Sequence, residues 1–97
     1  MYALALIRYR VLLEAVESVT ESHRAYLREL KAAGTLVASG PFSPRTGGAL
    51  LLRVSDDKAG AALDAVRDGD PFWRDGIANY ELLPWNLVIG GGELDAR

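Results

Sequence analysis

Residues 2–9 read YALALIRY, and both alternating sets of side chains in this stretch are apolar. Tyr2, Leu4 and Leu6 fall on one side of an extended chain; Ala3, Ala5 and Ile7 fall on the other. A strand with one face in water alternates apolar with polar residues, so this pattern predicts a strand covered on both sides. GALLLRVS, residues 48–55, repeats the pattern and predicts a second strand of the same kind. Two further stretches read as strands: TLVASG at 35–40, and IANYELLPWNLVI at 77–89, bent or split at Pro84. PFSPRTG at 41–47 is rich in turn residues and joins two of them as a hairpin loop.

Between the strands the apolar period changes from two to 3.6. Ser18 with Glu21 fits a capping box, which predicts a helix from Ser18 or Thr20 to Gly34, with VLLEAVES (11–18) as a connection. His23, Leu27 and Leu30 then share its buried stripe, with the histidine close to the helix start. A second helix is predicted from Ser55 or Asp56 to Gly69, burying Ala59, Leu63 and Val66. The order β-α-β-β-α-β predicts an α+β, ferredoxin-like fold: an antiparallel sheet with two helices on one face. The domain is expected to span 1–89, with 90–97 (GGGELDAR) as a flexible tail. Two helices cover one face only, and the other face is apolar as well. A second copy packed sheet to sheet is therefore the expected partner, giving a homodimer.

Composition narrows the chemistry. The 97 residues carry a net charge of -2 with scattered Arg and Lys, which argues against nucleic acid. No cysteine means no disulfide and no thiolate, and a single histidine excludes a multi-histidine metal cage, so no metal is expected. The apolar run Tyr2–Ile7 is too short for a signal core or a membrane span, so no membrane partner and a cytoplasmic location are expected.

Successive elements reverse direction in this topology. The end of the first strand, His23, the 41–47 loop and RDGDPFWRDG (67–76) therefore collect at one end of the sheet. Asp70 becomes a neighbour of His23. A carboxylate that accepts from one ring nitrogen fixes the tautomer and leaves the other nitrogen to take a substrate proton, while a nearby helix N-terminus favours the neutral imidazole. Phe72 and Trp73 are expected to wall a pocket, with Phe42 on its other rim and Arg45 placed for an anionic substrate. Ser39 and Pro41 complete the candidate substrate-binding set, and neither Ser39 nor Ser43 is assigned a nucleophilic role. Each residue also has a plain structural reading. His23 can be a boundary histidine, Asp70–Pro71 an N-cap with proline in the first turn, Phe72 and Trp73 core caps, and Arg45 a solvated loop residue.

SHRAYLRELKAAGTLVASGPFSPRTGG followed by DGDPFWRDGIANYEL resembles the YciI-like (YCII-related) family. Its marks are a helix bearing H-x-x-[YF]-L-x-x-L and a Gly, then small-Gly-Pro ending a strand. Gly-Gly opens the next strand, and Asp-Pro-Phe follows the second helix. The resemblance covers most of 2–84; Trp73 after the Phe and the WNLVIGGG end depart from the pattern. It implies the dimeric α+β barrel superfamily, with a His and Asp active-site pair matching His23 and Asp70. It further implies cofactor-free action on small cyclic or aromatic compounds, such as dehydrochlorination or isomerisation. The expected function is proton abstraction, elimination or isomerisation on a small ring compound. The alternative is a non-catalytic module that binds a small ligand or a protein.

Overall fold

In the computed structural model, which describes residues 1–95, the chain runs β1 (Tyr2–Tyr9), α1 (Leu13–Ala32), β2 (Leu36–Pro41), β3 (Gly47–Arg53), a 3-10 turn (Asp56–Lys58), α2 (Ala59–Gly69), α3 (Pro71–Arg74), β4 (Ala78–Trp85) and α4 (Gly91–Asp95). The four strands form one sheet in the order β2-β3-β1-β4, and every neighbouring pair is antiparallel. Among the described residues no helix is long and apolar enough to cross a membrane.

Register sorts the side chains into two faces. Ala3 stands opposite Leu52 and Ala5 opposite Leu50, on the face that the helices cover. There Ala3, Ala5 and Leu52 are 0% exposed, and Val16, Leu63, Val66 and Phe72 pack onto them. Removing each such leucine side chain from water contributes roughly 1.5–3 kcal/mol, so this layer is the main source of stability. On the opposite face Leu4 lies between Leu51 and Leu83.

The start of α1 differs from expectation. The helix begins at Leu13, five residues before Ser18, because fully buried Val16 carries the apolar stripe further back. Ser18 caps nothing; its hydroxyl donates to the carbonyl of Ala15 at 2.6 Å, inside the helix. His23 therefore sits about three turns in, beyond the reach of a helix-end dipole that fades within the first turn. The reading of a dipole-held neutral imidazole is corrected accordingly. At the other end Gly34 takes φ +82 just past the helix, as a C′ glycine does.

β4 runs unbroken through Pro84, which stands opposite Ala3. An edge strand tolerates the missing N–H. Beyond it α4 returns to the sheet, where the Tyr2 hydroxyl donates to Asp95 at 2.6 Å. Residues 96 and 97 of the expected tail lie outside the described residues.

Candidate active site

One face of α1 sets the first wall, from buried His23 to exposed Arg24. Thr20, His23, Arg24 and Leu27 follow the i, i+3, i+4, i+7 spacing of one helix face, and all four line a cavity of about 260 Å³. The opposite wall comes from the end of β2 and the start of β3, including Ser39, Pro41 and Gly48, with Arg45 from the loop between them. Tyr9 of β1 and Phe72 of α3 close the floor.

Asp70 owes its position to two helices at once. It is the C-cap of α2 and the N-cap of α3, with an extended backbone between them. Pro71 occupies the first turn of α3, where its missing N–H costs nothing, and Asp70 Oδ1 accepts from the Phe72 backbone N–H at 2.9 Å. The approach of α2 to α1 is set by Gly69. A Cβ there would lie 2.6 Å from the Tyr26 hydroxyl, which donates to the Val66 carbonyl at 2.7 Å. The N-cap reading of Asp70 and its pairing with His23 thus hold together. His23 Nδ1 lies 2.8 Å from Asp70 Oδ1, across 47 residues of sequence.

The carboxyl group is 0% exposed and has a third partner, the Tyr80 hydroxyl, which donates to Oδ2. Burial pushes the Tyr80 phenol far above its ordinary range, and the charge of Asp70 and the hydrogen bond to it add to that. Tyr80 is therefore a donor at every working pH. Burial, with Asp70 next, also raises Tyr26. Facing a carboxylate, each neighbouring group must donate, which puts a hydrogen on Nδ1; in the neutral imidazole the lone pair is then on Nε2. The ring is held flat: it stacks on Phe72 at 3.9 Å with planes 5° apart, and Tyr9 meets Phe72 edge-on at 5.9 Å.

Of the residues singled out in the sequence, His23, Ser39, Pro41, Arg45 and Phe72 line this cavity, and Asp70 stands directly behind His23. Phe42 and Trp73 do not line it, which corrects the expectation that they wall the pocket. Successive helical residues point about 100° apart, and here Phe72 turns inward while Trp73 turns out. Trp73 is 39% exposed, under Arg67 at 4.9 Å and edge-on to Tyr80 at 6.3 Å. Phe42 lies just past the end of β2, outside the cavity lining formed by Ser39, Gly40 and Pro41. Tyr80, Thr20 and Arg24 were missed. The period-2 pattern Ala78, Tyr80, Leu82 and the stripe through His23 carry their signal. Among the described residues no group of three His, Cys, Asp or Glu side chains could hold a metal ion.

A family model described as the YCII-related domain matches residues 1–86. No curated protein gives a significant match. Among solved structures, 5-chloro-2-hydroxyhydroquinone dehydrochlorinase (TftG) from Burkholderia phenoliruptrix AC1100, in complex with 2,5-dihydroxybenzoquinone, is similar with a TM-score of 0.72. The match covers 91% of this chain and 96% of that one at 23% identity, a likeness that shows the fold alone.

Proposed function

Because this chain belongs to the YCII-related family, we propose that it is a cofactor-independent enzyme acting on a small cyclic compound, with His23 as general base and Asp70 as the group that orients it. One observation carries this reading: a buried His–Asp pair whose free nitrogen belongs to a ring on the wall of a cavity. Nε2 takes a proton from an acidic C–H; that bond breaks, an N–H forms, and the electron pair stays on the ring as an enolate. The pair either expels a leaving group with its electrons as a double bond forms, or is reprotonated elsewhere from the imidazolium. These outcomes are elimination and isomerisation. Ser39, Pro41, Arg45 and Phe72 bind the ring in this scheme. The similar dehydrochlorinase, solved with a dihydroxybenzoquinone, supports the substrate class.

The experiment is solvent exchange. In deuterium oxide the protein is expected to label acidic ring positions of a panel of cyclic ketones, lactones and hydroxyquinones faster than buffer, read by NMR. No uptake above buffer and no product across that panel returns the cavity to a ligand-binding role.

The homodimer belongs to the same proposal. Leu4, Leu6, Ala49 and Leu51 share the helix-free face, with Leu83 at 38% and Trp85 at 45% exposure beside them. Arg8 and Arg53 occupy positions on that face along with Glu81, so a two-fold copy can set unlike charges against each other around an apolar centre. Leu51→Asp is expected to convert a dimer into a monomer of similar secondary structure in sedimentation equilibrium. A wild-type protein that sediments as a monomer at micromolar concentration removes the dimer.

A further inference from the structure

We infer that the cavity is built for a small ring carrying a negative charge, a carboxylate or an ionised hydroxyl, held by Arg45 and Arg24. This rests on the reading of the cavity as a ligand site and adds the ligand's charge. The first ground is the character of the walls. Two guanidinium groups line the cavity and no acidic side chain does, although the whole chain has a net charge of -2. The one carboxylate nearby, Asp70, is fully buried behind His23.

The second ground is that neither arginine is spent. Among the described residues the acids pair with Met1, His23, Arg28, Arg53 and Arg67, and none pairs with Arg24 or Arg45. Arg45 instead reaches from the β2–β3 loop to α1, where its Nη2 donates to Thr20 Oγ1 at 3.4 Å. Thr20 gives its own hydrogen to the Val16 carbonyl at 2.9 Å and so presents only a lone pair to Arg45. The guanidinium is thereby held across the cavity with donors to spare. Arg24 stands four residues after Thr20, on the helix face that carries His23. An adjoining cavity of about 290 Å³ shares Arg24 and Ser39 and adds Arg28 and Lys31, so the basic lining continues outward.

Size supplies the third ground. About 260 Å³ lies below the range of about 300–1,000 Å³ typical of drug-sized ligands, which favours a single substituted ring. The chemistry is consistent as well. An anion beside the Asp70 charge would be repelled without cations, and the same guanidinium groups stabilise negative charge that grows as Nε2 takes a proton.

The test is direct binding by titration calorimetry in mildly alkaline buffer that fully ionises the phenol, with benzoate and 4-nitrophenolate as anionic probes and benzamide and nitrobenzene as neutral ones. Each anion is expected to bind at least about tenfold tighter than its neutral counterpart, the effect of one or more charge-assisted hydrogen bonds. The stronger of the two preferences identifies the anionic group. In the R24Q/R45Q double variant, checked for unchanged melting, the preference is expected to vanish. Equal binding of anion and neutral probe, binding of neither anion, or a preference that survives in the double variant overturns the inference. His23→Ala is expected to keep the preference. Unchanged turnover in His23→Ala would therefore overturn the base assignment while leaving the anion site standing.

Discussion

Asp70→Ala is expected to lower the thermal midpoint by more than about 10 °C and to abolish turnover, the first measured by calorimetry and the second in the solvent-exchange assay. The carboxyl group is 0% exposed and receives hydrogen bonds from the Phe72 backbone N–H, the Tyr80 hydroxyl and His23 Nδ1. Alanine removes the acceptor shared by all three, and the Phe72 N–H in particular has no replacement. Each unsatisfied buried donor costs about 1–3 kcal/mol, and the lost N-cap is one of them, so roughly 3 kcal/mol or more is expected. For a domain of this size that corresponds to well over ten degrees at about 4–8 °C per kcal/mol. Asp70→Asn separates the two roles. The Phe72 N–H cannot turn, so the amide oxygen must stay at the Oδ1 position and the amide nitrogen must face Tyr80, whose hydroxyl can rotate and accept. The cap and the Nδ1–H tautomer survive, and the melting point is expected to fall by much less than in the alanine variant. Turnover is still expected to drop about 100-fold, because the charge that stabilises the imidazolium has gone. An alanine variant that melts within a few degrees of wild type shows that Asp70 is not the hub of this end of the fold.

The strands were legible because each is short and its two faces are marked by burial on at least one side. Ala3, Ala5 and Ile7 alternate with Leu4 and Leu6, and no other structure accommodates that run as well. Helix starts are weaker. Ser18 and Glu21 have the spacing of a capping box, yet a serine inside a helix satisfies its hydroxyl on the preceding turn, as Ser18 does on Ala15. Sequence spacing does not distinguish the two cases; the buried Val16 does. That error moved His23 to the wrong part of α1 and lent it an electrostatic field it does not feel.

The His23–Asp70 meeting needed only chain direction, so it could be argued from element order. The cavity walls needed rotation about each element. Phe72 and Trp73 are adjacent and chemically alike, but one lies beneath the imidazole and the other faces solvent. The third hydrogen bond to Asp70 was hidden for a related reason. Tyr80 reads as one more apolar position of an edge strand, and only the register with Ile7 places its hydroxyl over α3.

His23→Ala is expected to reduce turnover by about 10²–10⁴-fold while the protein stays folded, the range over which a positioned general base contributes. Stability should change little, because the deleted ring borders a cavity of about 260 Å³ and the Asp70 carboxylate keeps Phe72 and Tyr80 as donors. The variant also has a second, more discriminating readout. Removing the imidazole leaves a flat slot between the face of Phe72, 3.9 Å from the lost ring, and the acceptor Oδ1. Free imidazole fits that slot, can donate to Oδ1 through one nitrogen and offers the other to the substrate. Added imidazole is therefore expected to restore part of the lost rate in a saturable manner, and N-methylimidazole to restore less because it has no hydrogen to give Asp70. A purely structural histidine predicts neither the loss nor the rescue. Wild-type turnover in the alanine variant would falsify the base assignment. A loss that no concentration of imidazole repairs, in a variant with an unchanged melting point, contradicts the slot geometry argued for the base.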